Sequence, residues 1–163
     1  MTAVMGFVAA IGLAALAIGS GVARQADLLL INTSASAPRG LYVRFAAPPA
    51  PGARVALRQP ATARPYLADL GVGPDMPLLK RVAAVAGEPI CVRDGRLTWP
   101  RGAAMALDHD RRGTRLTRWQ GCRALGPGEV LVIGDTPTSF DSRYFGPVRR
   151  GDLIGVYREI ATW

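Results

Sequence analysis

Ile90-Cys91-Val92-Arg93-Asp94-Gly95-Arg96-Leu97-Thr98-Trp99 is the stretch that decides the fold class. Two short runs with strand-forming side chains flank Asp94-Gly95. That dipeptide favours the two-residue turn of an antiparallel hairpin, in which both central residues need positive φ. The same grammar extends in both directions. Upstream, Gly87-Glu88-Pro89 is a turn, and Leu78–Val85 (LLKRVAAV) is a strand, apolar apart from Lys80-Arg81. Before it come strands at Leu28–Ile31, Leu41–Phe45 and Arg54–Arg58, with a helical turn around Pro65–Leu70. Downstream, 101–121 is a polar, Arg-rich loop with a strand edge, and Glu129–Gly134 and Asp152–Glu159 are the last strands. Short strands punctuated by Gly and Pro predict a mainly β fold, a small antiparallel barrel-like domain.

The amino-terminal residues follow another pattern. Residues 1–23 carry no charged side chain, and Ala3–Gly19 (AVMGFVAAIGLAALAIG) is almost wholly apolar. Extended to Val22, the run has about the 20 residues a helix needs to cross a bilayer. The expected organisation is a transmembrane anchor over 1–23 and a folded domain over 27–163. A cleaved signal sequence is the rival reading, because Ala17-Ile18-Gly19 has small residues around one position, as cleavage sites do. Arg24 alone does not set the orientation, since long domains translocate largely regardless of charge.

The formal net charge is +8 and falls entirely beyond residue 23. Its densest run is Arg111, Arg112, Arg115 and Arg118. Aromatic interleaving is sparse and no nucleic-acid motif is present. The run reads as a solvated face near anionic headgroups rather than a nucleic-acid site. Cys91 and Cys122 form a disulfide in an oxidising compartment and stay as thiols in a reducing one.

The chemistry narrows by exclusion. His109 is the only histidine, so a multi-His metal site is ruled out, and no GxSxG, Walker loop or GxGxxG is present. Of the 20 basic residues, Lys80 is the one lysine. A guanidinium stays protonated in proteins, whereas a desolvated ammonium can lose its proton. At pH 7.5 an ordinary lysine is roughly 0.1% neutral; a pKa of about 8 raises that to roughly a quarter. A strand as apolar as Leu78–Val85 can supply that desolvation, with Arg81 on the opposite strand face in water. A neutral lysine can then activate a serine hydroxyl.

Three segments carry a resemblance. Ser34-Ala35-Ser36-Ala37-Pro38-Arg39-Gly40-Leu41-Tyr42 is similar to the catalytic-serine box of type I signal peptidases. Lys80-Arg81-Val82, with Gly87-Glu88 downstream, resembles their lysine box. Gly134-Asp135-Thr136-Pro137-Thr138-Ser139-Phe140-Asp141-Ser142-Arg143-Tyr144-Phe145-Gly146-Pro147-Val148 resembles their third signature. The boxes stand in the family's order across essentially the whole chain. The resemblance implies Ser36 as nucleophile and Lys80 as general base. It implies Ser34 hydroxyl and Ser36 amide as oxyanion donors, Ser139 as the group that orients the lysine, and Asp141 with Arg143 as ionic support. Asp141 and Arg143 are two apart and would share one face of a strand. No cofactor or metal is implied.

The chain departs from general signal peptidases at Ala37-Pro38 after the serine and at Thr136-Pro137 after Gly134-Asp135. These departures look like the conjugative-transfer, TraF-type branch, which trims and in some members cyclises pilin precursors. The implied setting is the bacterial inner membrane with a periplasmic catalytic domain. The implied partners are a membrane-tethered precursor protein and membrane lipid. Three readings compete: a general signal peptidase for secreted proteins, a cytosolic self-cleaving repressor-like Ser/Lys peptidase, and a non-catalytic envelope scaffold. The repressor reading lacks a helix-turn-helix pattern and leaves the apolar amino terminus unexplained.

Overall fold

The computed structural model describes residues 28–163. The anchor expected over 1–23 lies outside them. Among the described residues no helix is long and apolar enough to cross a membrane.

The strands are β1 (Leu29–Asn32), β2 (Gly40–Phe45), β3 (Arg54–Leu57), β4 (Leu78–Val85), β5 (Pro89–Arg93), β6 (Arg96–Trp99), β7 (Gly102–Met105), β8 (Cys122–Ala124), β9 (Glu129–Ile133), β10 (Val148–Arg149) and β11 (Leu153–Thr162). Two short helices join them, α1 (Arg64–Asp69) and α2 (Ser142–Phe145). Seven strands form an antiparallel sheet in the order β1-β2-β11-β3-β4-β9-β10. Four more form a small sheet, β7-β6-β5-β8. The large sheet is curled but open, with β1 and β10 at its edges, so the architecture is a half-barrel rather than a closed barrel.

The hairpin that decides the fold class forms in register, Cys91 opposite Thr98 and Arg93 opposite Arg96. Asp94 (φ 49°) and Gly95 (φ 74°) both take the positive φ that its turn requires. Cys91 also lies opposite Cys122 on β8, and the two are joined in a disulfide.

β4 is the hub. It lies between β3 and β9 and is buried along most of its length. Val82 joins Val55, Leu57, Val130, Val132, Val148 and Val156 in one core. Ala83 and Ala84 join Ile90, Leu97, Leu125 and Leu131 in the core shared with the small sheet. A strand buried on both faces reads as a continuous apolar run, which explains LLKRVAAV. A register shift between Val82 and Ala84 accompanies the change of packing partners.

One expectation needs correction. Asp141 and Arg143 do not lie in a strand. Asp141 is the N-cap of α2, and its Oδ1 accepts the Arg143 backbone N–H. Asp-Ser-Arg is a helix-start sequence, because a carboxylate there satisfies amides the first turn leaves unpaired.

Candidate active site

The three boxes meet at the end of β9. Lys80 on β4 lies opposite Val55 and is 3% exposed. Its Nζ donates to Ser139 Oγ at 2.9 Å. Burial pushes the lysine pKa down from its ordinary range to about 8, and the nearby Arg143 charge acts in the same direction. The carboxylates of Asp141 and Asp135 oppose that shift without cancelling it. Next along the strand, Arg81 is exposed and paired with Asp135. Alternation along the strand thus places the titratable amine inside and the permanent cation in solvent.

Ser139 is placed by glycine chemistry. A Cβ on Gly134 would sit 1.9 Å from Ser139 Oγ and 3.3 Å from the Ser36 carbonyl oxygen. Only a residue without a side chain lets these two segments meet there. The Asp135 N–H then donates to the Ser36 carbonyl at 2.7 Å. Asp135 in turn holds Arg54 at 2.8 Å, and Arg81 on its other oxygen. The serine loop is therefore fastened to the strand end beside the acceptor of the Lys80 amine.

Ser36 lies at the tip of the β1–β2 connection, half-buried, between exposed Ala35 and buried Ala37. Ala37 packs with Tyr42, Ala56, Leu79 and Tyr157 in the core. Ser36, Lys80 and Ser139 line one groove of about 680 Å³, large enough for several residues of an extended peptide. Ser34 lines it too, but its hydroxyl donates to Asn32 Oδ1 at 2.9 Å.

Below the groove, Arg143 is 2% exposed and Asp141 fully buried. Arg143 Nε and Nη2 grip both Asp141 oxygens at 2.8 Å. The same guanidinium donates to the carbonyls of Ser139 (2.7 Å), Pro137 (2.8 Å), Met105 (3.0 Å) and Thr136 (3.1 Å). The second Asp141 oxygen also accepts the Gly134 N–H at 2.8 Å. This pair is the scaffold of the loop that carries Ser139.

Sequence reasoning passed over one groove wall. Tyr66 and Leu67 of α1 line it, and Tyr66 lies against Phe140 with ring centroids 4.4 Å apart. Tyr66 Oη donates to Asp110 at 3.0 Å, and burial together with that bond pushes the phenol pKa up to about 12. Arg112 clamps Asp69 at 2.6 Å, and Arg118 pairs with Asp108. Part of the basic run therefore secures a wall of the groove rather than facing solvent alone. The ring at 66 and the charges near 110 lie too far apart in sequence for any local pattern to join them.

The family model described as signal peptidase, peptidase S26, matches residues 1–163. The chain belongs to this signal peptidase family. It is 35% identical over 151 residues to a plasmid transfer protein TraF from Escherichia coli, with 82% of each chain covered. A second Escherichia coli plasmid transfer protein TraF is 34% identical over 166 residues, covering 93% of this chain and 92% of the relative. A probable conjugal transfer protein TraF from Sinorhizobium fredii is 33% identical over 149 residues, covering 82% and 77%. Among solved structures, a signal peptidase I from Enterococcus faecalis overlaps 68% of this chain and 97% of its own, with 21% identity and a TM-score of 0.40. Membership in the signal peptidase family makes the chain a peptidase whose substrate class is a precursor protein.

Proposed function

We propose that the chain is a membrane-anchored Ser/Lys endopeptidase that processes a pilin precursor during conjugative transfer, with its catalytic domain in the periplasm. The observation that carries this reading is the buried Lys80 amine, pKa about 8, held on Ser139 in the groove that Ser36 lines. Neutral Lys80 takes the Ser36 proton as Oγ attacks the scissile carbonyl. The Ser36 amide and Ser34 hydroxyl receive the oxyanion. As the C–N bond breaks, the Lys80 ammonium returns the proton to the leaving amine. The acyl-enzyme ester is then resolved by water, giving a linear product, or by the amino terminus of the same precursor, giving a cyclic one.

The test is incubation of the full-length chain in detergent micelles with candidate pilin precursors, read by intact-mass measurement. A product shortened at one site supports the reading, and a cyclised product is lighter than the linear one by one water. Cleavage confined to precursors of secreted proteins would favour a general signal peptidase instead.

The Ser139 contact makes a separate prediction. Ser139→Ala removes one hydrogen bond from the amine, an interaction worth about 1.5–3 kcal/mol when one partner is charged. The expected loss is about 10- to 100-fold in kcat with KM little changed, measured on an internally quenched peptide. An unchanged kcat would remove Ser139 from the site.

A further inference from the structure

The β1–β2 connection has a neck residue whose side chain lies inside the turn that presents the nucleophile. Asn32, last in β1, pairs with Gly40 across the neck and is 6% exposed. Its Nδ2 donates to the carbonyls of Ser34, Ala37 and Pro38, each at 3.0 Å. Its Oδ1 accepts the Ser34 N–H at 3.2 Å and the Ser34 Oγ–H at 2.9 Å. Three carbonyls around one end of the amide and two donors around the other fix its orientation. These contacts bracket Ser36 in sequence on both sides. Two further bonds complete the frame: Tyr42 Oη donates to the Pro38 carbonyl at 2.7 Å, and the Asp135 N–H to the Ser36 carbonyl.

Three near neighbours of asparagine in size or chemistry do not suit this position. Aspartate would set a carboxylate oxygen against three carbonyl oxygens. Leucine has the size but would leave those carbonyls and the Ser34 donors unmatched at a buried site. Glutamine adds a methylene to an already filled turn.

We propose that Asn32 is a positioning residue for the reaction: it shapes the turn that carries Ser36 and holds the Ser34 hydroxyl by its proton until an oxyanion takes that proton over. The inference rests on the Ser/Lys reading above and deepens it. In the free enzyme the Ser34 donor is committed to Asn32 Oδ1. As charge develops on the substrate oxygen, a stronger acceptor competes for the same Oγ–H, and a small rotation of Ser34 transfers the bond. A donor held near its working place reorganises little during reaction.

The test uses the full-length chain in detergent micelles and an internally quenched peptide with Ala-x-Ala before the scissile bond. Ser34→Ala, Asn32→Ala and the double variant are measured for kcat and KM, with melting curves beside them. Ser34→Ala should lower kcat about 10²- to 10³-fold with KM nearly constant. Asn32→Ala should do at least as much, and adding Ser34→Ala to it should cost less than about threefold more, because coupled residues are not additive. A purely structural Asn32 would lower the melting temperature and leave the Ser34 effect at full size, which overturns the proposal. Wild-type kcat in Asn32→Ala or in Ser34→Ala also overturns it. Should Asn32→Ala not fold, the small and polar Asn32→Ser, too short to reach the same partners, decides by the same criteria. Ser36→Ala is run in parallel. If it still turns over, the Ser/Lys reading itself falls; if it is dead while Asn32 variants run normally, only the Asn32 assignment falls.

Discussion

Lys80→Arg is expected to reduce kcat/KM by about 10²- to 10⁴-fold, the range general-base catalysis supplies, while leaving a cation on β4. Arginine keeps the charge and much of the length. It does not deprotonate in proteins, so it cannot accept the Ser36 proton. The measurement is turnover of the internally quenched peptide from pH 6 to 10. Wild type should rise along an acid limb with a midpoint near the Lys80 pKa of about 8, since only the neutral amine is competent. The Arg variant should show no such limb. Activity at the wild-type level would exclude Lys80 as base.

The same residue makes a stability prediction of opposite sign. Folding lowers the Lys80 pKa from 10.5 to about 8, chiefly by burial. Between those values the unfolded chain binds more protons than the folded one, so stability rises with pH across that window. Below pH 8 both states carry the ammonium, and the folded state bears the whole desolvation cost, about 3 kcal/mol from the shift. Lys80→Met removes that cost and with it one hydrogen bond to Ser139. The inactive Met variant should therefore be about 2 kcal/mol more stable than wild type at pH 7, with the advantage fading towards pH 10. Chemical denaturation at both pH values checks this. A Met variant less stable than wild type at pH 7 would mean that Lys80 is not desolvated as the structure has it. Stability given up at a working residue is a frequent trade in enzymes.

How much was legible in the sequence depended on whether the signal was local. Asp94-Gly95 and the flanking runs specify their hairpin because turn chemistry and strand pairing act within ten residues. β4 was legible from Leu78 to Val85 because its residues are apolar apart from Lys80-Arg81 and a Gly-Glu-Pro turn bounds the run. The open edge between β1 and β10 was not legible, because closure depends on curl summed over seven strands. Nor was β10, a two-residue strand with no period to detect. In the site, Lys80 stood out by being the one lysine, and the three boxes gave the order of the segments. Asn32 carries a local clue, since an Asn side chain can accept the backbone N–H two residues on in an Asx-turn, and its Oδ1 does accept the Ser34 N–H. The α1 wall, by contrast, depends on Asp69 meeting Arg112 and Tyr66 meeting Asp110, pairings that only the fold creates.

Arg143→Met should be the most destabilising single change among the residues of the site. The guanidinium has no solvent to fall back on, and it serves both Asp141 oxygens and four carbonyls. Methionine fits the space approximately but donates nothing. Asp141 would keep only its bonds from the Gly134 and Arg143 backbone N–H groups, a buried charge without its counter-ion. Breaking one side of a buried ion pair costs about 3–5 kcal/mol. For a domain of this size that lowers the melting temperature by roughly 10–20 °C. Arg143→Lys should recover only part of the loss, since a compact ammonium cannot reach six acceptors spread around a planar fork. Activity should fall further than stability alone explains, because the Ser139 carbonyl is one of the six acceptors and Ser139 Oγ holds the Lys80 amine. Assays well below the melting temperature separate the two effects. If Arg143→Met melts within a few degrees of wild type, the pair is not the scaffold of this loop. If it melts early yet keeps wild-type kcat when cold, Arg143 supports the fold without positioning the lysine.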